Sequence, residues 1–327
     1  KGIMPPKWVY PYVIADANAL TPFLMTVPGA GDGWLFLSTT SGLTAGRGDP
    51  DHAVFPYDTD DKIADSAAHT GGFTLMRVPG PDGDTLWQPL THHRGTDPHR
   101  RRAVFKDVTG CRAGFREERT DLGLAIEVTW RTSQRFGVVR ECRLTSLSEA
   151  LVFVQFIDGL ANLLPAGIEA PTQQRLSTLL DAYKGGEVDP VTGLGVFWLS
   201  SLLTDRAEPA ESLSSSVAWQ VGLNADRYVV DHRDVDRFAD GQTLTGEQET
   251  RGQRCLYAAI ATGTVSLDRP WQWWTVIDTG YDGAQVADLN AWLADPGVDH
   301  AAVLAEDATR ERQALQAIVS AADGAQV

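Results

Sequence analysis

Leu124–Trp130 alternates cleanly, with Leu124, Ile126, Val128 and Trp130 on one face and Glu127 and Thr129 on the other. A side-chain period of two is that of a half-buried antiparallel strand. Runs of β-branched, aromatic and other apolar residues repeat the signal at Trp34–Leu37, Leu151–Ile157, Val196–Leu203, Val217–Leu223, Cys255–Ala261 and Trp273–Ile277. Turn-forming residues punctuate them at Pro79–Gly83, Asp189-Pro190, Gly193 and Gly241. Strands that follow one another without intervening helices select antiparallel pairing over a βαβ sheet.

Three segments carry a helical period instead. Thr172–Tyr183 lies between an apolar Leu160–Pro165 stretch and the Gly185-Gly186 stop. In Ala284–Ala294, Val286, Leu289 and Leu293 share a face, and Pro296-Gly297 ends the helix. In Ala301–Ala322, Val303, Leu304, Ala308, Leu315, Ile318, Val319 and Ala322 form one apolar stripe. A helix of about 20 residues is ~30 Å long, and its stripe must be covered. Folding back on the sheets covers it; leading into a further domain is the alternative. The pattern therefore predicts a mostly β chain: a large antiparallel β-sandwich over residues 1–282 and a helical C-terminal linker over 283–327.

Composition narrows the function classes. At 327 residues, 43% hydrophobic and 22% charged, the chain is an ordinary globular protein able to bury a large core. Its net charge of −15 argues against nucleic acid as a partner, because tracking phosphates needs a basic footprint. It disfavours anionic lipid for the same reason, and the island His99-Arg100-Arg101-Arg102 is too short to reverse that. No apolar run approaches the ~18 residues of a membrane span, and no charged-then-apolar stretch that would predict a signal peptide is visible near Lys1. Cys111, Cys142 and Cys255 match no CxxC pattern; buried free thiols in a reducing, cytoplasmic setting are expected. There is no P-loop, GxGxxG, GxSxG, HxH or HExxH, so neither a cofactor nor a metal is implied.

Candidate chemistry concentrates after the first clear strand. Residues 38–62 read as one long loop dense in Gly, Pro, Asp and aromatics, and structureless loops beyond ~12–15 residues tend to be functional. Arg47 and Asp51 are suited to bind sugar hydroxyls, with His52 and Tyr57 lining the surface. A self-braced Ω-type loop held by Arg–Asp pairs accounts equally for those residues. His92-His93 would point to opposite strand faces, which disfavours a shared metal, but His93 alone suits a general base beside a carboxylate. Asp158-Gly159 reads as a strand-end turn, or as a carboxylate at the end of an inner strand. Glu117-Glu118 with Asp121 reads as a solvated hairpin end. Trp271, Trp273 and Trp274 suit a sugar platform, but neighbours on a strand face opposite ways, so at least one of the last two is expected in the core.

Four stretches resemble one family: SGLTAGRGDPDHAVFPYDTDDK (Ser41–Lys62), DLGLAIEVTW with SQRFGVVRECRL (Asp121–Leu144), DGLANLLPAG (Asp158–Gly167) with LLDAYKGGEVDPVTGLGVFWLSS (Leu179–Ser201), and SLDRPWQWWTVIDTGYDGAQVADLNAWL (Ser266–Leu293). They are similar to the N-terminal β-supersandwich of carbohydrate-active enzymes of the cellobiose-phosphorylase type, in the clan with (α/α)6 barrels. The resemblance implies a galactose-mutarotase-like sandwich, linker helices where Ala284–Ala294 and Ala301–Ala322 lie, and a barrel, absent from these residues, that supplies the general acid. Asp268-Arg269-Pro270 departs from the Pro-Gly-Glu-like turn before the family's last strand. The expected function is the sandwich portion of a longer glycoside phosphorylase or hydrolase, non-catalytic alone, with carbohydrate as ligand and a homodimer or a helical domain as partner. Expected sugar contacts are Arg47, Asp51, His52, Tyr57, His93 and Asp158. One alternative is a self-contained mutarotase- or epimerase-like enzyme using His52 or His93 with Asp51 or Asp158. Another is a pure interaction or dimerisation module.

Overall fold

The computed structural model describes residues 12–81, 83–91, 97–204 and 207–322. Among them every strand pair is antiparallel, in three sheets of ten, five and four strands. The ten-stranded sheet runs in space through Tyr12–Ala15, Arg100–Lys106, Ala113–Arg119, Leu124–Ser133, Gly137–Ser146, Trp271–Tyr281, Ser215–Val221, Gly195–Leu199, Lys184–Val188 and Glu249–Arg251. The five-stranded sheet is Arg227–Val229, Cys255–Val265, Val152–Leu163, Gly71–Gly80 and Gly83–Trp87. The four-stranded sheet is Leu24–Thr26, Gly33–Ser38, Leu43–Arg47 and Ala53–Phe55. The two smaller sheets share one hydrophobic core with the large one, so the architecture is the antiparallel β-sandwich the alternation predicts.

The last strand, Trp271–Tyr281, is not at an edge. It pairs with Gly137–Ser146 on one side and Ser215–Val221 on the other, so the sheet's interior is completed only after the strands on both sides of it have been made. The face that carries Leu124, Ile126, Val128 and Trp130 points into the core, each residue at most 3% exposed. Trp273 is fully buried and Trp274 only partly, as opposite faces require.

Among the described residues, five α-helices decorate the sheets: α1 (Asp60–Asp65), α2 (Ala170–Asp181), α3 (His232–Ala239), α4 (Gly283–Ala294) and α5 (His300–Ala322). The end of the last strand and the start of α4 meet at Asp282, which caps α4 in a capping box with Gln285. Helices α4 and α5 lie back on the ten-stranded sheet: Val286, Leu289, Trp292 and Leu304 pack over Phe136, Val139, Trp219 and Val276. Arg131, almost fully buried, reaches α5 through Asp307 Oδ2 at 2.7 Å and the Leu304 carbonyl at 3.0 Å. The stripe is covered by the sandwich over its first half, while Ile318 and Val319 near its end stay exposed. No helix among the described residues is long and apolar enough to cross a membrane.

Candidate functional site

The outer face of the five-stranded sheet, opposite the core, is apolar. Leu75, Ile157, Leu256 and Ala258 are buried there beneath Phe238 of α3. Helix α3 covers only part of that face. Beside it lies a cleft of about 770 Å³, floored by Phe73, Leu75, Ala161 and Leu256. Its walls are His232, Val235 and Asp236 of α3 and Thr178 and Asp181 of α2. His69, Gln88, Gln253 and Arg254 bring polar groups to the rim.

Local chemistry fixes those walls. Asp231 caps α3, accepting from Arg233 N at 2.8 Å. The Asp234 carboxylate, 1% exposed, accepts from Thr245 N, Thr245 Oγ1 and Gly246 N, which ties α3 to the loop after it. Arg77 Nη1 donates to the carbonyls of Phe238 and Ala239, satisfying the orphan acceptors at the helix end. On the opposite wall, Asp181 accepts from the buried Lys184 at 2.8 Å, and its other oxygen lies 3.5 Å from Arg254 Nε.

The half-buried His232 ring makes one hydrogen bond among the described residues, between Nε2 and the Arg254 carbonyl at 3.1 Å. A carbonyl only accepts, so Nε2 carries the proton and Nδ1 is the acceptor of the neutral ring. Burial lowers the imidazole's pKa, against the pull of the Arg254 carbonyl, Asp231 and Asp236. The ring is therefore a neutral base at pH 7.

A smaller cavity of about 240 Å³ adjoins the cleft, sharing His69, Thr70 and Arg254 with it. Tyr57, Lys62, Asn162 and Gln173 line it. Asn162 adopts φ 57°, a left-handed conformation that Asn tolerates better than most residues, and its amide donates to Thr70 Oγ1 at 2.9 Å.

Of the described residues expected to meet sugar, Tyr57 alone reaches this region. It lines the smaller cavity, edge-on to Trp34. Arg47 is a clamp between sheets: it holds Asp278 through Nε at 2.6 Å and Nη2 at 2.9 Å, Asp32 through Nη1 at 2.7 Å, and the Gln134 carbonyl. The Asp278 hydrogen bond is the main cause that raises its pKa further above the ordinary arginine value. Asp51 accepts from Ala170 N at 2.8 Å, serving the start of α2, and His52 pairs with exposed Asp49. His93 lies outside the described residues.

Asp158 is not at a strand end. Val152–Leu163 runs unbroken through Asp158-Gly159, because a Cβ at Gly159 would meet the Tyr257 carbonyl at 2.0 Å and glycine lets the strands close. Its carboxylate, 2% exposed, is saturated by Arg140 Nη1 at 2.6 Å, Thr74 Oγ1 at 2.6 Å and Trp273 Nε1 at 2.7 Å. Residues 38–62 are not one long loop either. They contain a strand, a 3-10 turn, a second strand and α1, each packed or capped. Glu117 is no solvated hairpin end: it is fully buried in Ala113–Arg119, its neighbours dictated by the inward face.

The cleft residues His69, Gln88, His232, Asp236 and Arg254 carry no motif. One local signal was available: Asp231, then Val235 and Phe238, is an N-cap followed by an apolar pair at helical spacing. It marks the helix, not the cleft.

No protein-family model and no curated protein sequence matches the chain. Among solved structures, a polysaccharide lyase aligns at 9% identity and a TM-score of 0.40, covering 83% of this chain and 34% of its own. A protein named as a kojibiose phosphorylase, from the human microbiome, aligns at 9% and 0.34, covering 72% and 27%. A protein named as an aldose 1-epimerase, from Escherichia coli K12, aligns at 8% and 0.35, covering 80% and 100%. The chain thus spans about a third or less of the first two. Likenesses of this size leave activity and ligand open.

Proposed function

We propose that the chain is a saccharide-binding β-sandwich, the sandwich portion of a longer carbohydrate-active enzyme of phosphorylase or hydrolase type. It holds a sugar in the cleft beside α3 without turning it over alone. The observation that carries this reading is the make-up of the cleft. Phe73, Leu75 and Leu256 give an apolar floor, and His69, Gln88, Asp236, Gln253 and Arg254 stand round it. A sugar ring needs this pairing, because its C–H face is apolar while each hydroxyl both donates and accepts. The volume of about 770 Å³ lies within the ~300–1,000 Å³ of small-molecule sites.

Calorimetric titration of the chain with glucose, galactose, mannose and cellobiose tests the reading. Saturable binding to at least one sugar is expected. His69→Ala and Asp236→Asn each weaken it about tenfold, the loss of one useful hydrogen bond. Absence of binding to all four sugars, or binding indifferent to both substitutions, contradicts it.

A second reading is favoured by His232. A neutral imidazole with Nδ1 as acceptor, Asp236 one turn on and His69 on the same cleft are the parts of a proton-transfer site on a mutarotase- or epimerase-like sandwich. Anomer interconversion of glucose or galactose, followed by exchange NMR, separates the two. Acceleration by the chain, lost in His232→Asn, supports the enzymatic reading; no acceleration leaves the binding module.

A further inference from the structure

We infer that Gln88 reads the hydroxyl pattern of the ligand in the cleft, and that Glu117 and Arg102 are its positioning residues. The inference rests on the saccharide reading above and deepens it.

Gln88 is exposed at the cleft, just after the strand Gly83–Trp87. Among the described residues only its backbone is engaged, its carbonyl accepting from Thr91 Oγ1 at 2.7 Å. The carboxamide, two donors and an acceptor, is left for a ligand. The segment carrying it is held by side chains of the sandwich. Glu117, fully buried, clasps it on both sides: Oε1 accepts from Trp87 Nε1 at 3.0 Å and Oε2 from Leu90 N at 2.9 Å. Arg100 Nε stands 3.0 Å from Oε1 as an ion pair without the alignment of a hydrogen bond.

Arg102 works from the other side. It is 2% exposed, and its Nη2 donates to Ser41 Oγ at 2.7 Å and the Thr39 carbonyl at 2.9 Å. Ser41 Oγ in turn donates to the Leu90 carbonyl at 3.1 Å. Both backbone polar groups of Leu90 are thus fixed by side chains anchored in the sandwich. Leu90 at φ 63° and Ser41 at φ 81° both occupy the left-handed region, which side chains bearing a Cβ avoid and which persists where surroundings over-determine it.

A connecting turn closes with its own hydrogen bonds. Burying a carboxylate is costly, and using both of its oxygens on the residues flanking Gln88 makes sense where the orientation of Gln88 matters. Preorganising a polar contact in this way removes ordering entropy from binding. Burial pushes the Glu117 carboxyl pKa up, against the Trp87 hydrogen bond and the two arginines.

The test is a double-mutant cycle on the full chain, read by calorimetry with glucose, galactose, mannose and cellobiose. Gln88→Ala weakens the best-bound sugar about tenfold and narrows the difference between the epimers glucose, galactose and mannose. Glu117→Gln weakens the same sugar, and Gln88→Ala added to it changes affinity less than about twofold, since coupled residues are non-additive. Leu90→Gly is the second variant. Leu90 also packs against the core, so this variant is read against Leu90→Ala: glycine removes the left-handed penalty and frees the turn, so its affinity falls below that of Leu90→Ala while its thermal midpoint does not, and it completes the same cycle where Glu117→Gln fails to fold. Wild-type binding by Gln88→Ala, or effects of the paired substitutions that simply multiply, overturns the inference and leaves the cleft standing. If the wild-type chain binds none of the four sugars, the saccharide reading fails first and this inference falls with it.

Discussion

Asp158 and His232 are both polar groups on the five-stranded side of the sandwich, with opposite consequences. Asp158 is locked between layers by partners 84, 18 and 115 residues away. Asp158→Ala leaves Arg140 buried without its carboxylate, and stability falls by about 3–5 kcal/mol in urea unfolding. Replacing Arg140 and Asp158 together by apolar residues of similar volume loses much less, because the desolvation of both charges disappears. His232 is half-buried with a lowered pKa. Its unfolded state binds more protons between the folded pKa and ~6.5, so stability rises with pH in that window and is lost as pH falls through it. Thermal melts from pH 7.5 down to 5.0 therefore show a decline that is shallower in His232→Asn. An equal decline in both proteins rejects the assignment. None of these partnerships could be read from the chain. Asp-Gly is a good turn signal locally, and only the approach of Tyr257, Arg140 and Trp273 turns Asp158-Gly159 into the middle of a strand.

At the scale of elements, periodicity was a faithful guide wherever one face is core. The strand containing Leu124–Trp130, the closing strand around Trp273 and the three longer helices all stand within a few residues of where the pattern puts them. Short elements escaped it. Helix α1 has six residues and α3 eight, too few turns for a stripe to declare itself. The segment from Ser38 to Lys62 looks like loop in sequence because Gly, Pro and Asp dominate it, while its strands are only five and three residues long and take their stability from the sheet. The docking of α5 makes a further prediction. Arg131, with its pKa lowered mainly by burial, depends on Asp307. Asp307→Ala strands that charge, and amide exchange across α5 accelerates well before global unfolding. Unchanged protection of α5 would show that Leu304 and Leu315 suffice to hold it.

The whole molecule joins one large sheet to two small ones round a single core, with helices on two outer surfaces. Helices α4 and α5 fold back on the large sheet, and the cleft beside α3 lies on the outer face of the five-stranded sheet. The sandwich itself was legible from alternation and turn chemistry. The cleft was not, because it is assembled from Phe73, Gln88, Asp181, His232 and Arg254, which share no motif and meet only through the sheet order. Of the sugar contacts expected from sequence, Tyr57 borders the adjoining cavity, whereas Arg47 and Asp51 brace the fold. The central claim is that a saccharide occupies this cleft. Two-dimensional amide NMR of the labelled chain, titrated with the sugar that calorimetry ranks first, tests it most directly. The account predicts saturable shifts concentrated at Phe73, Leu86, Gln88, His232 and Arg254. Shifts centred instead on Arg47, Asp51 and His52, or a spectrum unmoved at saturating sugar, would contradict it.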